Sequence, residues 1–155
     1  MVTAADLPLL ERRRVEAGVL IPLIRAMQAE FGEERVNEVV GKAIRDIARA
    51  QGEAVARSTN VRSVADVASR LESTVLAEGS LIVDVVERTD ERFGFNVTRC
   101  KFMEMYEEMG ARDLGFLLSC NRDFAMFGGL APKLRFNRTQ TRMEGAEFCD
   151  FRYAK

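Results

Sequence analysis

The sequence predicts an α+β domain in which amino-terminal helices pack with an antiparallel sheet of about four strands built from two hairpins. Three observations predict it. Apolar residues recur at helical spacing through the first half of the chain. After Gly79 the composition turns β-branched and aromatic. Helical spacing then returns between two strand-like stretches, giving the order helices, hairpin, helices, hairpin.

The elements follow in order. Leu20, Leu23, Ile24, Met27 and Phe31 form the stripe of a first helix ending at Gly32. Pro22 has no N–H and suits a first turn, so a break is expected near Gly18. Val36, Val39, Val40, Ala43, Ile44 and Ile47 mark a second helix. Ser63 reads as an N-cap with Asp66 at the third helical position, opening a helix that carries Val64, Val67, Ala68, Leu71 and Val75. All three stripes read as core. "SLIVDVVERTDERFGFNVTRC" from Ser80 to Cys100 is divided by a charged turn at Arg88–Arg92 and reads as a hairpin. "KFMEMYEEMG" is helical through Phe102, Tyr106 and Met109, and a further helix is expected over Asp113–Phe127. "GGLAP" reads as a loop whose glycines let backbone turn or come close to a ligand. Lys133–Tyr153 reads as two strands joined at Glu144–Gly145. With no repeat, low-complexity segment or long linker, residues 1–155 form one domain: a helical part, 1–78, and a strand-helix-strand part, 79–155, that carries the candidate site.

Composition bounds the function. Among 155 residues, 47% are hydrophobic and 30% charged, a balance that favours a folded core over disorder. The net charge of −1 gives no field to draw in nucleic acid or an anionic membrane. "ERRR" at Glu11–Arg14 reads as a solvated helix face. No segment reaches the roughly 20 apolar residues of a membrane span, and the amino terminus lacks the apolar core of a signal peptide, so a cytoplasmic location is expected. Three cysteines are an odd number and are expected to be thiols. The apolar amino-terminal helices exceed what one small sheet face need cover, which leaves room for a homo-oligomer. The chain has no histidine. That removes imidazole triads, His-dependent zinc sites and imidazole acid–base chemistry.

The candidate chemistry begins with "SCNRDFAMFGG". Cys120 and Asp123 are three apart and share a face if the segment is helical. A carboxylate beside a thiol opposes thiolate formation. Either a cation joins them, with Arg122, Arg99 and Arg138 as candidates, or the two divide the work, sulfur attacking and Asp serving as acid. A buried cysteine also serves plainly as a small hydrophobe. Glu104 and Glu108 share a helix face, and Glu104 is a candidate general base if it faces the cavity of Cys120. Strand alternation sets Arg138, Gln140 and Arg142 on one face and Thr139, Thr141 and Met143 on the other. Asp150 then either pairs with an arginine across the hairpin or joins arginine and hydroxyls around a carboxylate-bearing small molecule. No cofactor is expected. Cys100, Cys120 and Cys149 could gather on zinc, although they lack the close pair such sites show.

The run Cys100, "CNRDF" at Cys120–Phe124, "RTQT" at Arg138–Thr141 and "GAEFCDFRY" at Gly145–Tyr153 resembles the L-2-amino-thiazoline-4-carboxylic acid hydrolase family. "LIPLIRAM" followed by "EFGEE" is compatible with it. The ending also bears a distant likeness to vinyl-reductase-type small-ligand domains and the transport-complex subunits that share their α+β fold, which keeps open a non-catalytic ligand-binding or sensor role. The family resemblance implies hydrolysis of a C–N bond in a small cyclic amidine bearing a carboxylate. Cys120 would attack the amidine carbon or position the water that does, and Asp123 would donate or relay the proton. Arg138, with Thr139 and Thr141, would hold the carboxylate. Cys149, Asp150 and Cys100 would complete the pocket.

Overall fold

The computed structural model describes residues 7–155; the amino-terminal reading against a signal peptide falls partly on residues 1–6, outside the described residues. The elements run α1 (Leu9–Phe31), α2 (Glu33–Ser58), α3 (Val64–Ser73), β1 (Leu81–Arg88), β2 (Arg92–Cys100), α4 (Lys101–Glu108), α5 (Arg112–Leu118), a 3-10 turn (Cys120–Arg122), α6 (Asp123–Leu130), β3 (Arg135–Asn137) and β4 (Cys149–Ala154). The strands make one antiparallel sheet in the order β1-β2-β4-β3, so the α+β class holds.

Where local chemistry decides, the structure follows the sequence. Ser63 caps α3 in a reciprocal box with Asp66. The Thr89 N–H donates to the Arg92 carbonyl at 2.8 Å and closes the β1–β2 turn. On β2, Phe93, Phe95 and Val97 alternate toward the core, where they meet Val64 and Val67 of α3, Phe127 and Leu130 of α6 and Tyr153 of β4. A second core joins Ile24 of α1, Val36 and Ile44 of α2, Met105 and Tyr106 of α4 and Leu114 and Leu118 of α5. Leu10 and Met103 pack against both.

Elsewhere long-range contacts overrule the local reading. Helix α1 runs unbroken through Pro22. The carbonyl that the proline ring approaches belongs to Gly18, which is exposed and has open space around its Cα, so water can take over the missing bond. The stripes of α1 and α2 are only partly core: Leu23, Phe31, Val39 and Ile47 are exposed. A single residue, Gly32, joins the two helices at φ +88°, which a side chain would strain.

The helix expected over Asp113–Phe127 breaks at Ser119 without a glycine or proline there. Asn121 supplies the reason. Its amide donates to the Leu117 carbonyl at 3.3 Å and to the Gly41 carbonyl of α2 at 3.0 Å, while its Oδ1 accepts from Arg45. This side chain competes with the helical ladder and ties the turn to α2. Gly128 and Gly129 belong to α6 and not to a loop. The close approach they permit is to α2: a Cβ on Gly129 would lie 3.0 Å from the Glu53 nitrogen, and one on Gly52 would lie 2.9 Å from the Leu130 nitrogen. The two helices therefore meet backbone to backbone.

The second hairpin is also revised. Strand β3 ends at Asn137, and residues 138–148 form a loop with its turn at Gly145, φ +103°. The Asp150 carboxylate holds this loop, accepting from the Thr139 and Gln140 N–H groups at 2.9 Å each and from the Thr139 hydroxyl at 2.7 Å. Those amides are diverted from the ladder, so the expected alternation of Arg138–Met143 does not form.

Candidate active site

The 3-10 turn brings the first elements of the site together. Three residues per turn line up side chains at i and i+3, and the Asp123 N–H donates to the Cys120 carbonyl. Arg138, the first residue after β3, reaches the same turn. Its Nη1 donates to the Asp123 carboxylate and, at 3.2 Å, to the Cys120 carbonyl; its Nη2 reaches that carbonyl at 3.3 Å. Three aromatic rings surround the guanidinium, with its carbon 5.8 Å from the centroid of Phe116, 5.5 Å from Phe124 and 5.7 Å from Phe151. Such faces stabilise a desolvated cation. In this ion pair the Arg138 side chain is 4% exposed and the Asp123 side chain 34%, so solvent reaches the pair from the carboxylate side.

Burial and charge set the proton affinities. Burial raises the Asp123 pKa to about 6, and it does so against the opposing charges of Arg138, Arg122 and Arg13. Burial also pushes the Cys120 thiol well above its ordinary value, with the Asp123 charge adding to the effect and Arg138 opposing it. Cys100, at the N-cap of α4, rises to about 11 through burial, although the Met103 and Phe102 amides favour its thiolate. Cys149 is raised by burial, while its sulfur accepts the Arg142 N–H at 3.2 Å. The Asp123 charge adds to the rise of all three thiols. Among the described residues no group of three or more Cys, Asp or Glu is arranged to hold a metal ion.

Several candidate residues are engaged elsewhere. Both Glu104 oxygens are bound by Arg99, at 2.7 and 3.1 Å, so these two candidates pair with each other. Arg99 holds the Glu104 carboxyl below its usual range. Thr141, 1% exposed, bonds Glu144 at 2.7 Å and stabilises the loop turn. Asp150 and Thr139 bond each other; burial raises the Asp150 pKa, but the Thr139 hydroxyl and backbone N–H groups outweigh it and keep the acid low.

Two more arginines lie close to this turn in their effect on Asp123: Arg122, which the sequence offers as a candidate cation, and Arg13, which it does not. Arg122 is buried, with Nη2 donating to Gln51 Oε1 at 2.6 Å. Arg13, within the "ERRR" run read as solvated, is only 13% exposed on its side chain and bonds Glu16 at 2.5 Å. The charges of both bear on Asp123. For Arg122 the signal was its place between Cys120 and Asp123; for Arg13 the sequence carries none. Surface cavities of about 310 and 260 Å³ lie away from this centre, one lined by Val64, Ala68, Arg88 and Phe93 and the other by Met27, Phe31, Val36 and Val39.

Fold and site together define an α+β protein with a thiol–carboxylate–guanidinium centre and no imidazole. Residues 12–153 match the family described as L-2-amino-thiazoline-4-carboxylic acid hydrolase, and the chain belongs to that family. No curated protein matches the sequence. Among the described residues no helix is long and apolar enough to cross a membrane.

Proposed function

We propose that the protein opens a C–N bond in a small cyclic amidine bearing a carboxylate, of which 2-amino-thiazoline-4-carboxylate is the type, with Cys120 and Asp123 as the catalytic residues. The observation that supports this reading is the meeting of Arg138 with both the Asp123 carboxylate and the Cys120 carbonyl, inside a family described as a hydrolase.

The raised thiol pKa means that thiolate does not accumulate, so sulfur gives up its proton only as it bonds to the amidine carbon. Asp123 takes that proton. With a pKa of about 6 it can return the proton to the ring nitrogen as the C–N bond breaks. One water then adds to the thiol-bound carbon and the Cys120 thiol leaves with its proton, so one water is consumed for each ring opened. In this reading Arg138 keeps Asp123 in place and does not itself bind the substrate.

The test is incubation of purified protein with 2-amino-thiazoline-4-carboxylate and a panel of cyclic amidines and lactams, scored by product mass. The expected product is the substrate plus one water. Cys120→Ser and Asp123→Asn should each lower kcat by about a hundredfold or more. Normal turnover by both variants would overturn the assignment, and saturable binding without product would leave a ligand-binding domain.

A further inference from the structure

We infer that the outer face of α1 and α2 docks a second copy of this chain, across a two-fold axis that crosses both helices near mid-length. The run Ala17–Ile24 of α1, AGVLIPLI, has no polar side chain in any direction. Its inner line, Ala17 and Ile24, is buried in the helical core. Val15, Val19 and Leu23, at i, i+4 and i+8, form an outer line and are 65%, 67% and 51% exposed. Helix α2 repeats the pattern: Ile44 and Ala48 are buried, while Val39, Ala43 and Ile47 form an exposed outer line. A helix that is apolar all round belongs in an interior, and one chain alone covers only half of this one.

The register of the two helices makes the face complementary to itself. The Gln28 amide of α1 donates to Asn37 Oδ1 of α2 at 2.8 Å and fixes how the antiparallel pair lines up. Leu23 then stands level with Ala43 and Val19 with Ile47, flanked by Ala26 with Val39 and Val15 with Ala50. Large and small side chains alternate across the two lines. A two-fold axis passing between Val19 and Leu23 also passes between Ala43 and Ile47. It lays Val39 over Ala50 of the second copy, Ile47 over Ala43 and Val15 over Ala26, so each hollow meets a larger side chain. The cavity of about 260 Å³ at Met27, Phe31 and Val39 lies at one end of the face, where Val15 of the second copy arrives. The charges at the two ends obey the same axis. It brings Glu30 to Arg12 of the second copy and Arg35 to Glu53, and Glu30, Arg35 and Glu53 have no ion-pair partner among the described residues. The face is about 27 Å long from Arg12 to Glu30 and two helices wide, a footprint in the range of a stable dimer's, about 800 Å² a side. A membrane surface calls for a basic rim, whereas this rim carries both signs.

Sedimentation equilibrium of the purified protein reads the association directly. Wild type should sediment at twice 17.4 kDa at micromolar concentration. Val19→Glu buries two like charges beside the axis and should raise the dimer Kd by about a hundredfold or more. Its circular dichroism should match that of wild type, because the side chain is exposed in the single chain; should it fail to fold, Ala43→Glu replaces it on α2. Arg35→Glu should weaken the dimer by about tenfold, and adding Glu53→Arg should restore it. That rescue is specific to this register. A wild type that stays monomeric at millimolar concentration overturns the inference, and flotation of that monomer with anionic lipid vesicles would assign the face to a membrane. A dimer that the glutamate variants leave intact, or one that the charge exchange does not restore, overturns it as well.

Discussion

Asp123 gives the pH dependence its sign. Its pKa near 6 is above the ordinary carboxylate value, and as the proton acceptor for Cys120 it must begin ionised. The value of kcat/KM should therefore rise with pH through about 6, and Asp123→Asn should lose that limb along with activity. A profile that falls through 6 instead would make Asp123 a general acid in its resting state. The choice of asparagine matters: Asp123→Ala would strand the enclosed Arg138 and destabilise the fold by about 3 kcal/mol, whereas asparagine keeps an acceptor for it. Cys120, Asp123 and Arg138 were legible because short spacing and a family-like motif mark them. Arg13 was not. A run of four charged residues reads as solvated whichever of them turns inward, and only the contact of α1 with the rest of the bundle decides that.

At the scale of elements, the contact between α2 and α6 sets where the Cys120–Arg122 turn sits. Gly52 and Gly129 let the two backbones come so close that no Cβ fits between them. Gly52→Ala must push against the Met126 carbonyl and Gly129→Ala against that of Arg49. Each should destabilise the protein by about 1–3 kcal/mol, the cost of overpacking, even though alanine favours helix over glycine. A raised Tm in either variant, read by thermal melting, would refute that packing. The first hairpin and the α3 cap were legible because their causes are local: a turn residue and a capping box. The break at Ser119 and the loop of residues 138–148 were not. Their causes are the side-chain bonds of Asn121 and Asp150, which reach residues that only the folded chain brings near.

For the whole molecule, the α+β class was legible because the apolar period changes from helical to alternating at Gly79 and back again. How the halves join was not. The two cores share Leu10 and Met103, and the site takes residues from α1, α2, α6 and the loop after β3. Unfolding by denaturant should accordingly be one transition, with the same midpoint by far-ultraviolet circular dichroism and by a probe of tyrosine burial. Separated midpoints would mean that the helical and sheet cores unfold independently. The three cysteines are free, and of them only Cys120 is partly exposed. A thiol-alkylating reagent added to the folded protein should consequently mark Cys120 before Cys100 or Cys149, and a purification that omits reductant puts that one sulfur at risk first.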